Sequence, residues 1–141
     1  MEALAFSCRI YGVLLRRGKV LLTRSRFRST EFVNFPGGGV RIGEAPMQAL
    51  LRELRDETGL SVRPVRPLYA SEGAHLSTQM PIQIVGIYWL VSELSGKLKK
   101  RGNGRDVLSL FWADLKSIPT DEMFPCDREF VSKLPGLLKS R

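Results

Sequence analysis

Residues 38–60, GGVRIGEAPMQALLRELRDETGL, place three carboxylates on one predicted helix. A helix advances about 100° per residue. Glu53, Asp56 and Glu57 therefore share one sector, Met47, Leu50, Leu51 and Leu54 fill a second, and Gln48, Arg52 and Arg55 a third. Ala49 projects from the middle of the acidic sector, and its small side chain is expected to leave open space above the acids. Three acids within a turn and a half repel unless a proton or a cation compensates. Several oxygen donors around one point suit a hard divalent ion such as Mg²⁺ or Mn²⁺. The pattern predicts a metal site; the alternative is a surface helix with a solvated acidic face.

The flanks frame that helix. Pro46 suits the first turn, where its missing N–H is not needed, and Gly59 suits the left-handed position just past the last turn. Upstream, Pro36-Gly37-Gly38-Gly39 makes an approach without side chains, from which the backbone around Gly38 can reach an ion or ligand.

The full spacing is Gly38, five residues, Glu44, seven residues, Arg52-Glu53-Leu54, one residue, Asp56-Glu57, one residue, Gly59-Leu60. It closely resembles the signature of the Nudix (MutT-related) hydrolases. One position departs, because the family usually has Glu where this chain has Asp56, a shortening that keeps the charge. The resemblance implies that Glu53 and Glu57 are the principal metal ligands, with Asp56 auxiliary and the backbone at Gly38 beside them. It implies that Arg52 and Glu44 orient the carboxylates, with purely structural support as the alternative for both. Further on, Asp106-Val-Leu-Ser-Leu-Phe-Trp112 and the segment to Pro119 are similar to the acid, strand, Trp and short helix that close a Nudix domain. Asp106 would then stand for a loop acid that in some members completes the metal site or acts as base; a cap or turn role is the alternative. The implied fold is an α/β/α sandwich with a mixed β-sheet between helices, formed by residues 1–141 as one domain.

Composition is consistent with a globular domain: 141 residues, 43% hydrophobic, are enough for a real core. No segment approaches the roughly 20 apolar residues of a membrane span, and the N-terminus lacks a secretory pattern. Cys8 and Cys126 form no CxxC pair, which points to reduced thiols and a cytoplasmic protein. A single His removes multi-His zinc sites.

Strand-like runs occur at residues 6–15, 20–24, 32–35, 62–69, 82–91 and 107–112. Helices are expected at the carboxylate segment, briefly at 114–117, and at 127–134, ended by Pro135-Gly136. The net charge of +8 favours an anionic partner. Arg24, Arg26 and Arg28, just before the Gly-rich turn, are candidates for substrate phosphates. Residues 97–105 form a basic loop leading to Asp106 and are read as either a solvated hairpin tip or a phosphate-neutralising segment. Phe124, in an irregular stretch before the last helix, is the aromatic candidate for stacking a base. His75 lies in a polar segment, residues 73–79, that is read as part of a substrate rim, with an incidental surface His as the favoured alternative.

Together these imply a Mg²⁺-dependent pyrophosphohydrolase, with Mn²⁺ as the alternative metal. Its substrate would be a nucleoside diphosphate linked to another group, foremost a nucleoside triphosphate. Glu53 or Glu57 is the expected base. RNA 5′ ends and a non-catalytic nucleotide sensor are the rivals; no aromatic-interleaved basic motif supports the first, and the intact carboxylate set opposes the second.

Overall fold

Strand β1 (Ala5–Arg16) ties the sheet together because it pairs along both edges. In the computed structural model, which describes residues 4–139, β1 runs parallel to β7 (Ile82–Gly96), with Ala5 opposite Ile82 and Leu14 opposite Val91. On its other edge it meets β4 (Gly37–Gly39) at Arg9, Ile10 and Tyr11, and then β2 (Lys19–Phe27) through Leu15 and Arg16. β2 lies between β3 (Thr30–Asn34) and β8 (Val107–Asp114), while β7 carries β5 (Leu60–Ala70) and the two-residue β6 (His75–Leu76). One parallel pair among antiparallel ones makes the sheet mixed.

Side-chain alternation along β1 creates a core on each face. Ile10 and Leu14 pack with Leu50 and Leu54 of helix α1 (Pro46–Thr58), and Tyr11 and Val13 with Phe130 and Leu134 of helix α2 (Pro125–Lys139). The result is the expected α/β/α sandwich. No helix among the described residues is long and apolar enough to cross a membrane.

Three details differ from the sequence expectations. Residues 114–117 form a turn rather than a helix, closed by the Ser117 N–H on the Asp114 carbonyl (3.0 Å) and the Lys116 N–H on Asp114 Oδ1 (2.9 Å). Pro119 follows too closely for helical hydrogen bonds to propagate, and a single 3₁₀ turn forms later at Thr120–Glu122. α2 begins at Pro125 and continues through Pro135 to Lys139. The N–H that Pro135 lacks is one helical bond, and Leu137 and Leu138 beyond it pack against the core, which favours continuing the helix. On α1, Leu51 is 39% exposed while Ala49 is fully buried in the core, so Ala49 lies under packed side chains rather than open space.

Candidate active site

Helix α1 is fixed at both ends by groups its sequence supplies. Gln48 Oε1 reaches back to accept the Ala45 N–H (2.9 Å), and Pro46 opens the first turn. Gly59 closes the helix at φ 81°, donating its N–H to the Arg55 carbonyl (3.0 Å), and a Cβ there would collide with the Lys97 carbonyl. Arg52 then braces the helix against the Gly-rich turn. Its Nε and Nη2 donate to the two oxygens of Glu44 (2.7 and 2.8 Å), Nη2 also donates to the Gly39 carbonyl (3.2 Å), and Nη1 donates to Glu53. The Arg52 bonds hold the Glu44 carboxyl down at about 2.

Glu53 lies directly against the bare backbone of β4, since a Cβ on Gly38 would stand 2.7 Å from Glu53 Oε2. Burial pushes the Glu53 carboxyl up, against the opposing pull of Arg52. Glu57, only 5% exposed, accepts the Gly37 N–H (2.9 Å). Desolvation pushes it up to about 9 despite that bond, and the charges of Glu53 and Asp106 add to the push. At neutral pH such a carboxyl holds a proton unless a cation replaces it.

Asp56 lines a second opening with Glu53, Arg52, Arg105 and Asp106. Arg105 Nη2 donates to both its oxygens (2.6 and 2.5 Å), which lowers its carboxyl. Among the described residues no three acidic, imidazole or thiol groups converge on one point as metal ligands. The donors that fit a hard divalent ion are the Glu53 and Glu57 oxygens beside the backbone of Gly38; Arg52 already answers one Glu53 oxygen, whereas Glu57 has no ion-pair partner among the described residues. The basic loop keeps Lys97, Lys99, Lys100, Arg101 and Arg105 exposed to solvent while its backbone is tied down. Lys99 N–H binds the Thr58 carbonyl (2.8 Å), the Leu110 N–H binds the Lys100 carbonyl (2.9 Å), and Asn103 Nδ2 donates to Asp106 (2.9 Å).

Glu53, Glu57 and Asp106 share a cavity of about 310 Å³ with Phe32, Phe124 and Arg26. Phe124 tilts against Phe32 at a centroid separation of 4.6 Å. The three candidate arginines separate. Ser25 and Arg26 line the cavity, Arg26 with Glu31 as its ion-pair partner (3.1 Å). Arg24 turns outward to Glu122 (2.8 Å), stacking over Phe111, and Arg28 donates to the Gln79 carbonyl (3.3 Å).

Asn34, Asp127 and Arg9 line the cavity without a signal in the sequence, and His75 lines it as the substrate-rim alternative expects. Asn34 takes hydrogen bonds from Thr23 and Ser25. Asp127, 5% exposed, accepts the Tyr88 hydroxyl (2.6 Å), and burial raises it to about 6 although Tyr88, Arg9 and His75 pull the other way. Arg9 lies on β1, and His75 is held by Glu129 (2.7 Å) instead of standing free on the surface. An acid in the first turn of a helix, such as Asp127, reads in sequence as an ordinary partner of the helix dipole.

Sequence comparison agrees with this geometry. The sequence model of the NUDIX domain matches residues 7–134. The chain belongs to the Nudix hydrolase family. Its Nudix relatives include the 8-oxo-dGTP diphosphatase of Escherichia coli (strain K12), 29% identical over 131 residues, covering 89% of this chain and 94% of that protein. The RNA pyrophosphohydrolase of Actinobacillus succinogenes is 46% identical, but over 57 residues, 40% of this chain and 28% of that protein. Among solved Nudix structures, the hydrolase from Nitrosomonas europaea superposes with a TM-score of 0.79 at 18% identity, covering 93% of this chain and 89% of that one.

Proposed function

We propose that this Nudix protein is a divalent-metal-dependent pyrophosphohydrolase that converts a nucleoside triphosphate to its monophosphate and pyrophosphate. The observation that carries the reading is the single cavity in which the Phe32–Phe124 pair, Asn34 and Asp127 meet the carboxylates Glu53, Glu57 and Asp106. The aromatic pair offers a stacking surface for a base, and Asn34 and Asp127 offer polar groups to its edge. The similarity along nearly full length to a protein named 8-oxo-dGTP diphosphatase supports a nucleotide substrate.

Glu53 and Glu57, with the Gly38 backbone, would hold Mg²⁺, or Mn²⁺ in its place. When bound, the ion supplies Lewis-acid polarisation of phosphate oxygens and a more acidic water. Glu57 or Glu53 accepts the proton of the water that attacks phosphorus, and pyrophosphate leaves. Arg52 keeps Glu53 in place, and Glu44 keeps Arg52 in place. Asp56 acts from the outside, through its charge and its hold on Arg105. Arg26 contributes positive charge at the cavity wall.

A turnover panel of nucleoside triphosphates, 8-oxo-dGTP, dinucleotides, nucleotide sugars and 5′-triphosphorylated RNA, assayed with Mg²⁺ and Mn²⁺, tests this. Preference for a nucleoside triphosphate is expected. Turnover of RNA alone would transfer the assignment to RNA 5′ ends, and turnover of none would remove the enzymatic reading.

A further inference from the structure

Arg9 is a half-buried cation with no anionic hydrogen-bond partner among the described residues. It projects from β1 into the cavity, opposite Gly39 in the strand pairing, and its Nη1 would lie 3.9 Å from a Cβ placed on Gly39. Its Nε donates to the Tyr11 hydroxyl (2.8 Å), and Tyr11 is itself stacked on Tyr88, which fixes the plane of the guanidinium. The two Nη nitrogens have no partner among the described residues. Neither is sealed away, because no buried side-chain nitrogen or oxygen among the described residues is left unsatisfied; they open to the cavity. Asp127 and Glu57 are near enough for their charges to act on Arg9, yet neither forms an ion pair with it.

A cation withdrawn from water and left unpaired is unfavourable unless a ligand brings the missing anion. A guanidinium fork matches phosphate oxygens in charge and geometry, whereas a neutral base carbonyl leaves the charge uncompensated. We propose that Arg9 is a substrate-binding residue whose Nη fork takes the nucleotide phosphate next to the sugar. The proposal rests on the nucleotide reading above and adds to it the group that recognises phosphate from the β1 side. Arg9 stands beside the Gly37–Gly39 strand against which Glu53 packs, so a phosphate held there lies next to the carboxylates while its nucleoside extends toward Phe32 and Phe124.

The test compares binding of nucleosides with their monophosphates. Deoxyguanosine, dGMP, 8-oxo-deoxyguanosine and 8-oxo-dGMP are titrated by NMR or calorimetry, in Mg²⁺ and again in EDTA, against wild type, Arg9→Gln and Arg9→Lys. Wild type should bind each monophosphate about tenfold or more tightly than its nucleoside, the size expected of a hydrogen bond between charged groups. Arg9→Gln should bring the ratio close to one with nucleoside binding unchanged, and Arg9→Lys should restore part of it. An unchanged ratio in Arg9→Gln, or equal weakening of nucleoside and monophosphate, would overturn the assignment and leave the nucleotide reading standing. Wild type that binds nucleosides without preferring phosphate overturns Arg9 alone. Wild type that binds none of the four overturns the nucleotide reading and the proposal with it.

Discussion

Glu57 on α1 and Glu129 on α2 are both largely withdrawn from water, and the protein treats them in opposite ways. Glu57 receives one hydrogen bond, from the Gly37 N–H, and burial drives it up to about 9. Partial burial also pushes Glu129 upward, but donors outweigh it: the Tyr69 hydroxyl (2.6 Å), the Glu72 N–H (2.7 Å), His75 (2.7 Å) and the Gly73 N–H (2.8 Å) hold it at about 2. A buried carboxylate whose lone pairs are filled by protein donors is a structural anchor. One left short of donors is a place where a cation or a proton is wanted. Glu129 pins the segment that follows β5, including the cavity-lining His75, to α2, whereas Glu57 has oxygen capacity left for something the chain does not supply.

The largest effects should come from removing the charge at the unsatisfied end. Glu53→Gln and Glu57→Gln are each expected to lower kcat by roughly 10²-fold or more. Glu57→Gln should meanwhile leave the metal-free protein as stable as wild type or more so. Near wild-type turnover at saturating Mg²⁺ would take that residue out of the reaction.

At the satisfied end the signature is stability. Glu129→Ala strands several donors and should cost about 2 kcal/mol in urea unfolding, with faster hydrogen exchange at the Glu72 and Gly73 amides and a higher KM at similar kcat. A loss too small to measure would end the contrast between the two glutamates.

Their pH dependences should have opposite signs. Glu129 is lower in the folded state than its ordinary value of 4.5, so its contribution is full above that value and fades as pH falls toward 2. Glu57 is higher when folded, so the metal-free protein should lose stability as pH rises from 4.5 toward about 9. Chemical unfolding in EDTA across this range should show that decline in wild type and a flatter profile in Glu57→Gln. Mg²⁺ binding near pH 7 should release about one proton, read from the dependence of calorimetric heat on buffer.

The smallest effect belongs to Asp56, which is already paired. Asp56→Asn should raise the Mg²⁺ concentration needed for half-maximal activity a few-fold, about the scale set by altering an outer partner of a metal ligand. Asp56→Glu should be tolerated. Identical metal dependence in wild type and the Asn variant would show Asp56 to be a partner of Arg105 and nothing more.

The carboxylate helix and its ends were legible because their physics is local, whereas its brace, Arg52 with Glu44, was legible only through the family resemblance. Helical periodicity sets which side chains share a face, and Pro46 and Gly59 act within a turn of where they stand. Six strands were legible for a similar reason, as runs of apolar and β-branched residues. The pairing of β1 with β7, the separate acidic partners of Arg24 and Arg26, and the burial of Ala49 were decided by tertiary structure. So was the meeting of Arg9, Asn34, His75 and Asp127 in one cavity. Each of these is an ordinary residue in its own stretch of chain. Its environment is set by donors, charges and packing that arrive from segments distant in sequence, and those same neighbours make one buried glutamate an anchor and leave the other open.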